Sequence, residues 1–363
     1  VFELDLVSVP VDSLFVRPFV TTIGGDTVYG NQIAIANEDP NRNHIYNFST
    51  ESGDFSPENY TITTTSEITF QNIISLRNLN WEYGSPNYSN IVIVNFPSLD
   101  RIEGNFTLKY EYSLREFNAP KLREISSRLI VDYNNIEKFL LPELQSIRYG
   151  GSIRFNENLN ELNLEKLEIT TRDCCGDFQI EENNLLSVIN LNNFYKSRRN
   201  DGNLRDLKII KNSNLKTISF GTELDLEARI VISGNQLLEE IVFTKLINVV
   251  SGEISITNNE TLKSVSFNSL VSSDFVKDKS YWHEPYIIII SNKLLEEINA
   301  PNLENFYKIS TQNNESLSEI IFPELTTVHK NLTIQNNANL SKVHMPKLET
   351  TGDKVYNSNS FNL

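Results

Sequence analysis

The residues best placed to do chemistry are four carboxylates, Asp173, Asp177, Glu181 and Glu182, beside the adjacent cysteines Cys174 and Cys175. Hard oxygen donors in that number could hold a calcium ion. A carboxylate pair could also hydrolyse a glycosidic bond. The chain carries a formal net charge of −15, and on such a surface most acidic side chains are simply solvated, which is the leading reading. The four histidines, His44, His283, His329 and His344, are scattered, and Gly24-Gly25-Asp26 reads as a turn. No Gly-x-Ser-x-Gly elbow, P-loop or His-Glu-x-x-His stretch occurs. No catalytic, cofactor-binding or metal-ligating residue is therefore assigned, and no cofactor is expected. Neighbouring Cα atoms lie about 3.8 Å apart, below the usual disulfide span. A Cys174–Cys175 disulfide would be strained, and unpaired or differently paired thiols are the alternative.

Composition narrows the class. The 363 residues are 39% hydrophobic and 22% charged, as in globular rather than disordered chains. The charge, with a sequence pI of about 4.8, disfavours nucleic acid and anionic lipid as partners. No apolar run approaches the roughly 18 residues of a membrane span; the longest aliphatic run, Ile287 to Ile290, suits a buried strand. Val1 opens no signal peptide, so in a secreted protein this numbering would start after cleavage.

The elements that position these residues follow from a long period. Asn156, Asn183, Asn212, Asn235, Asn259, Asn292, Asn314 and Asn337 each stand three residues before a leucine: Leu159, Leu186, Leu215, Leu238, Leu262, Leu295, Leu317 and Leu340. Leu76, Leu99, Leu114 and Ile136 extend the row N-terminally, with steps from Leu76 of 23, 15, 22, 23, 27, 29, 23, 24, 33, 22 and 23 residues. An apolar residue follows three after each anchor, and another eight after most, often as Pro-x-Leu. Before the anchors, apolar residues alternate, as in Ile91/Ile93, Phe106/Leu108, Ile180, Ile254/Ile256 and Leu332/Ile334. A period of two inside a period near 23 means one short strand per coil, stacked in parallel. The fold class is all-β: a right-handed parallel β-helix, or solenoid, of about 12 coils of ~23 residues with an N-terminal β-rich cap. Residues 1–66 form the cap or a small subdomain, 67–350 the solenoid and 351–363 a C-terminal tail. The asparagines fall where the chain turns, and stacked amides can satisfy buried turn groups, so they form a structural ladder.

Surface features follow from this register. The outward strand row runs Val92, Thr107, Leu129, Ser152, Gln179, Lys208, Val231, Ser255, Ile288, Ser310 and Thr333. With Leu129, Val131, Val231, Ile288 and Ile290 it is partly apolar, which suits protein or glycan docking. The long steps mark insertions at Thr170 to Gly176, Tyr195 to Arg205 and Ser272 to Pro285, all at one point of the coil. Candidate binding loops carry Trp81 and Tyr83 near the N-terminal end, and Phe275, Tyr281, Trp282 and His283 in the longest insertion. Local folding of these aromatics over the coil edge is the alternative. Asn-x-Ser/Thr sequons occur at Asn47, Asn59, Asn87, Asn105, Asn259, Asn314, Asn331 and Asn339. Ladder residues Asn259 and Asn314 should point inward. Glycans are expected at Asn47, Asn59, Asn87, Asn105 and Asn331, with Asn339 a further candidate.

Segments such as Leu332-Thr-Ile-Gln-Asn-Asn-Ala-Asn-Leu-Ser-Lys-Val-His-Met-Pro-Lys-Leu348 resemble the receptor L-domain, the leucine-rich right-handed β-helix of insulin- and EGF-receptor ectodomains. The strand–Asn-Asn-x-x-Leu-x-x-Ile–Pro-x-Leu text is most similar to fungal GPI-anchored cell-wall proteins built from that repeat. The resemblance covers about residues 67–350 and lacks the receptors' flanking cysteine modules. It implies a non-enzymatic extracellular protein of the cell surface or wall, structural or in recognition, with a protein or a cell-wall glycan as partner. Membrane contact would come only through an anchor outside the chain. An adhesion or receptor-type ectodomain and a carbohydrate-active β-helix enzyme are the alternatives.

Overall fold

In the computed structural model, residues 53–55, 66–82, 91–167, 176–191, 206–220, 226, 228–250, 252–273 and 284–352 are described in full. Backbone placement is also described for 13–16, 19–21, 27–29, 33–36, 44–47, 224–225 and 354–357. These residues form an all-β parallel solenoid, with no helix among them. One 14-stranded sheet runs along the molecule from Asp54–Phe55 to Lys354–Asn357. A second side consists of a 6-stranded sheet continued by a 7-stranded one. A third side is shorter, with Ser75–Leu76, Arg101–Ile102, Glu124–Ile125 and Ser146–Ile147 stacked in parallel.

The alternating pattern dictates which residues face in. In Arg229–Ser233, Ile230 and Ile232 are buried while Arg229, Val231 and Ser233 are half-exposed. The inward residues of all three sides form one continuous core of Leu, Ile, Val and Phe. Burial of each such side chain stabilises the fold by about 1.5–3 kcal/mol. Phenylalanines stack between coils, as in Phe220, Phe243 and Phe267 with centroids 4.8 and 5.1 Å apart. Where coils approach most closely only glycine fits: a Cβ on Gly252 would lie 2.1 Å from the Ala228 carbonyl oxygen, at φ +124°.

The asparagines form one hydrogen-bonded column. From Asn134 to Asn314, each backbone N–H donates to the Oδ1 of the asparagine in the next coil at 3.0–3.2 Å. Each Nδ2 donates to that same oxygen at 3.0–3.3 Å. From Asn134 to Asn337, Nδ2 also reaches a strand carbonyl of the preceding coil at 2.8–3.1 Å. Asn134 was absent from the sequence-derived row because its coil takes two residues, not three, to reach the anchor Ile136. One residue before the ladder the chain turns through left-handed angles at Tyr110, Tyr133, Phe155, Glu182, Lys211, Gly234, Asn258, Ser291, Asn313 and Asn336. Those ten turns make about ten regular coils, rather than twelve.

Pairing corrects the register at the N-terminal end. Val94 pairs with Phe117, and Ile102 with Ile125. Ile91 therefore occupies the anchor place of Leu114, while Leu99 matches Leu122, so the 15-residue step from Leu99 is not a short coil. Ile93 and Val92 belong to the second side, and the long-sheet strand of that coil is Asn78–Glu82. The solenoid sheets also begin before residue 67, since His44–Asn47 and Asp54–Phe55 pair in parallel with Glu67–Gln71 and Asn78–Glu82. Phe55 packs against Phe70, Phe96 and Trp81. N-terminal of these strands, Ser13–Val16 pairs antiparallel with Ile33–Ala36, and Phe19–Thr21 with Thr27–Tyr29. In the C-terminal tail, Lys354–Asn357 adds to the long sheet beside Thr327–Gln335.

Replacing a mid-column asparagine strands several buried partners at once. Asn235→Ala removes the acceptor of two Asn212 donors and the donor to the Ile209 carbonyl. We expect a loss of about 2–4 kcal/mol in urea unfolding, against no more than about 0.5 kcal/mol for the exposed Asn160→Ala.

Candidate recognition surface

The ladder is fully buried, Asn259 and Asn314 included, and offers nothing to a ligand. Candidate binding surface is found on the turn edge and only in part on the outward sheet face, where Thr107, Ser152, Ser255 and Ser310 are buried. The outward row of the long sheet is Thr107, Ile130, Ser152, Gln179, Lys208, Val231, Ser255, Ile288, Ser310 and Thr333, by register. Leu129 and Val131, expected to face out, are fully buried, and Ile130 points outward instead. The strand Leu129–Asp132 carries three consecutive aliphatic residues, so alternation alone left its face ambiguous.

The two outward rows that flank it carry charge that the residue pattern did not bring together. Asp206, nearly buried, takes a bidentate ion pair from Arg229 and a contact at 3.0 Å from Lys208 Nζ. Lys208 also donates to Asp177 Oδ2 at 2.9 Å. Burial opposes ionisation of Asp206, but the Arg229 and Lys208 hydrogen bonds outweigh it and hold the carboxyl below its ordinary value. Asp132, 2% exposed, accepts from Ser152 Oγ at 3.0 Å and from Arg154 Nη2 at 2.8 Å. Apart from Asp206 with Lys208, these pairs link residues about one coil apart, so sequence distance hides them.

Of the acidic group considered for chemistry, Asp177 is engaged by Lys208 and Glu182 by Lys211. Glu181 lies in the outward row of the long sheet beside Arg154. Among the described residues no three His, Cys, Asp or Glu side chains come together as a metal site. Asp173, Cys174 and Cys175 lie outside the described residues.

Trp81, proposed for a binding loop, is instead a core residue of Asn78–Glu82 at 1% exposure, because its register partner is the inward Leu108. Tyr83, Phe275, Tyr281, Trp282 and His283 lie outside the described residues, as do Asn59, Asn87 and the side chain of Asn47. One residue of the longest insertion, Glu284, is firmly held. Glu284 accepts Lys330 Nζ at 2.6 and 2.8 Å and the Tyr307 hydroxyl at 3.2 Å. Its carboxyl is held below the ordinary value, chiefly by the Lys330 hydrogen bond. Asn105 and Asn339 are exposed and Asn331 is half-buried within Thr327–Gln335.

Among the exposed apolar side chains of the described residues is an aromatic edge that residue spacing did not single out. Tyr110, Tyr133 and Phe155 occupy three successive left-handed turns. Their rings stack, with centroids 5.4 and 4.5 Å apart and interplanar angles of 18° and 13°. Tyr110, Tyr112 and Tyr133 remain 42%, 55% and 39% exposed. Bulky residues are rare at positive φ, and other coils place Asn, Ser, Gly, Lys or Glu there. Stacking offsets the conformational cost. A positional signal was available only for Phe155, which stands one residue before Asn156; Asn134 and Glu111, which follow Tyr133 and Tyr110, were outside the sequence-derived row. A second, shallow groove lies on the second side, lined by Lys216, Thr217, Ser219, Glu240, Val242 and Thr244.

No family model matches the chain, and no curated protein matches it either. Among solved structures, a leucine-rich repeat protein from Bacteroides ovatus ATCC 8483 is similar over 93% of this chain and 89% of its own, with 13% identity and a TM-score of 0.37. The assignment of this chain as a β-solenoid stands on its own strand pairing.

The Asp206 cluster sets a pH response. A carboxyl whose folded pKa is depressed contributes stability that is complete above its unfolded value, about 3.9, and is lost as pH falls below that. Asp206→Asn should destabilise by roughly 2 kcal/mol at pH 7 through the stranded Arg229 and Lys208, and the gap should narrow below pH 4 in chemical denaturation.

Proposed function

We propose that this chain is a non-enzymatic recognition protein, a rigid solenoid that binds a macromolecular partner through its outward edge. The observation that carries this reading is the exposed aromatic edge of Tyr110, Tyr112 and Tyr133, in which Tyr110 and Tyr133 stack. Tyrosine supplies large contact area at low entropic cost and is enriched at binding hot spots. The backbone beneath it is locked by the ladder and the parallel sheets, so little ordering cost is added on binding. A protein partner is the primary reading; a cell-wall glycan, whose C–H faces suit aromatic rings, is the second. The resemblance of the repeat to receptor L-domains and fungal cell-wall proteins supports a place at the cell surface or wall.

A screen of the purified chain against wall glycans and surface proteins tests this. Tyr112→Ala, and Tyr110→Asn, which keeps the left-handed turn, should each weaken binding about tenfold or more with unchanged circular dichroism. Turnover of a polysaccharide, or binding indifferent to these substitutions, would overturn the proposal. If the chain passes through a glycosylating compartment, peptide mapping should find sugar at Asn105, Asn331 or Asn339. Asn259 and Asn314 should carry none, because their buried amides already donate within the column.

A further inference from the structure

The asparagine column ends, on its N-terminal side, on a glutamate. Tyr110 precedes Glu111 in a left-handed turn as Tyr133 precedes Asn134. The Glu111 N–H donates to Asn134 Oδ1 at 2.9 Å, just as the Asn134 N–H donates to Asn156 Oδ1 at 3.1 Å. Asn134 Nδ2 reaches back to the Leu108 carbonyl, and Trp81 pairs with Leu108 in the preceding coil. By backbone register Glu111, half-buried where the asparagines are fully buried, takes the ladder position, from which Asn134 in the next coil donates to the preceding coil's carbonyl and to the following Oδ1. An ionised carboxylate has none to offer, whereas the neutral acid has one O–H. A glutamic acid in this place can complete the column only when protonated.

The surroundings favour the neutral form. Burial raises the Glu111 carboxyl to about 7, with the Trp81 indole acting in the opposite direction. The buried Trp81 Nε1 is near enough to act on the charge, yet it is not aligned for a complete hydrogen bond. Charged groups on the neighbouring strands are Glu82, Lys109, Asp132 and Arg154. They lie in the outward row of the sheet, opposite the core face that holds Trp81 and Leu108, and Asp132 is already paired with Arg154. Tyr110, Tyr112 and Tyr133 border the turn on the outside.

We infer that Glu111 closes the asparagine column as a neutral acid, and that its ionisation loosens the coil carrying Trp81, making the N-terminal end of the solenoid a proton-controlled fastening. The direction is set by linkage. An acid held above its ordinary value of 4.5 binds its proton more tightly in the folded state. Stability is therefore complete below the ordinary value and declines as pH rises through about 7. This inference is independent of which partner binds the aromatic edge.

Backbone amide exchange of the full chain at pH 5 and pH 8, corrected for intrinsic rates, tests it. Protection of residues 78–111 should fall by about tenfold or more between the two, the equivalent of one pKa unit. Residues 286–335 should change little. Glu111→Gln keeps a donor and cannot ionise, so its N-terminal coils should stay protected across the range. In a Trp282→Phe background, Trp81 fluorescence should titrate over the same interval and lose that titration in Glu111→Gln. Protection that is flat or rises with pH in the unsubstituted chain, or an equal loss in Glu111→Gln, would overturn the inference.

Discussion

Parallel coils cannot be stacked unless the chain groups buried at each turn find partners, and the asparagine column is what supplies them. A side-chain amide carries both a donor and an acceptor, so one residue per coil satisfies a neighbour above and a strand carbonyl below. Leaving such groups unpaired in the core would cost about 1–3 kcal/mol each. The column also dictates the preceding residue, which must adopt left-handed angles to swing the amide inward. Sequence steps between coils can then vary from 22 to 33 residues, because extra chain leaves the coil before the next strand without disturbing the column.

The surface follows from this interior. Where the left-handed residue is small or polar, the turn edge is ordinary solvated surface. Where it is Tyr110, Tyr133 or Phe155, stacking at one-coil spacing turns an unfavourable backbone position into a continuous aromatic edge. Charges on the long sheet are organised in the same way, by neighbours one coil apart, which is why Asp206 and Asp132 are buried and still paired. Exposed pairs such as Lys263 with Glu239 and Lys342 with Glu319 repeat the spacing but contribute at most about 1 kcal/mol each.

The column's N-terminal end shows how one substitution changes its chemistry. Glutamate retains the backbone link to Asn134 and gives up the constant donor of an amide for one that depends on pH. Tyr110 and Tyr112 flank it, so the aromatic edge and the titrating group share a turn.

Periodicity by itself determined the solenoid class, the inward leucines from Leu114 onward and eight of the nine ladder asparagines, because burial repeats these residue types at each coil. It also placed Asn259 and Asn314 inside the turn, and the buried amides lie there. Only the tertiary structure decided the rest. Leu99 resembles an anchor locally, yet Ile102 pairs with Leu76 and Ile125, which puts it on the third side. Trp81 reads as an exposed aromatic until Leu108 lies beside it, and Leu129 as an outward residue until it is set opposite Phe106. The Asp206 cluster, the aromatic edge and the role of Glu111 depend on residues about one coil apart in sequence and adjacent in space. A strand's own alternation specifies two faces, but only pairing with its neighbours specifies which face is buried and which side chains meet.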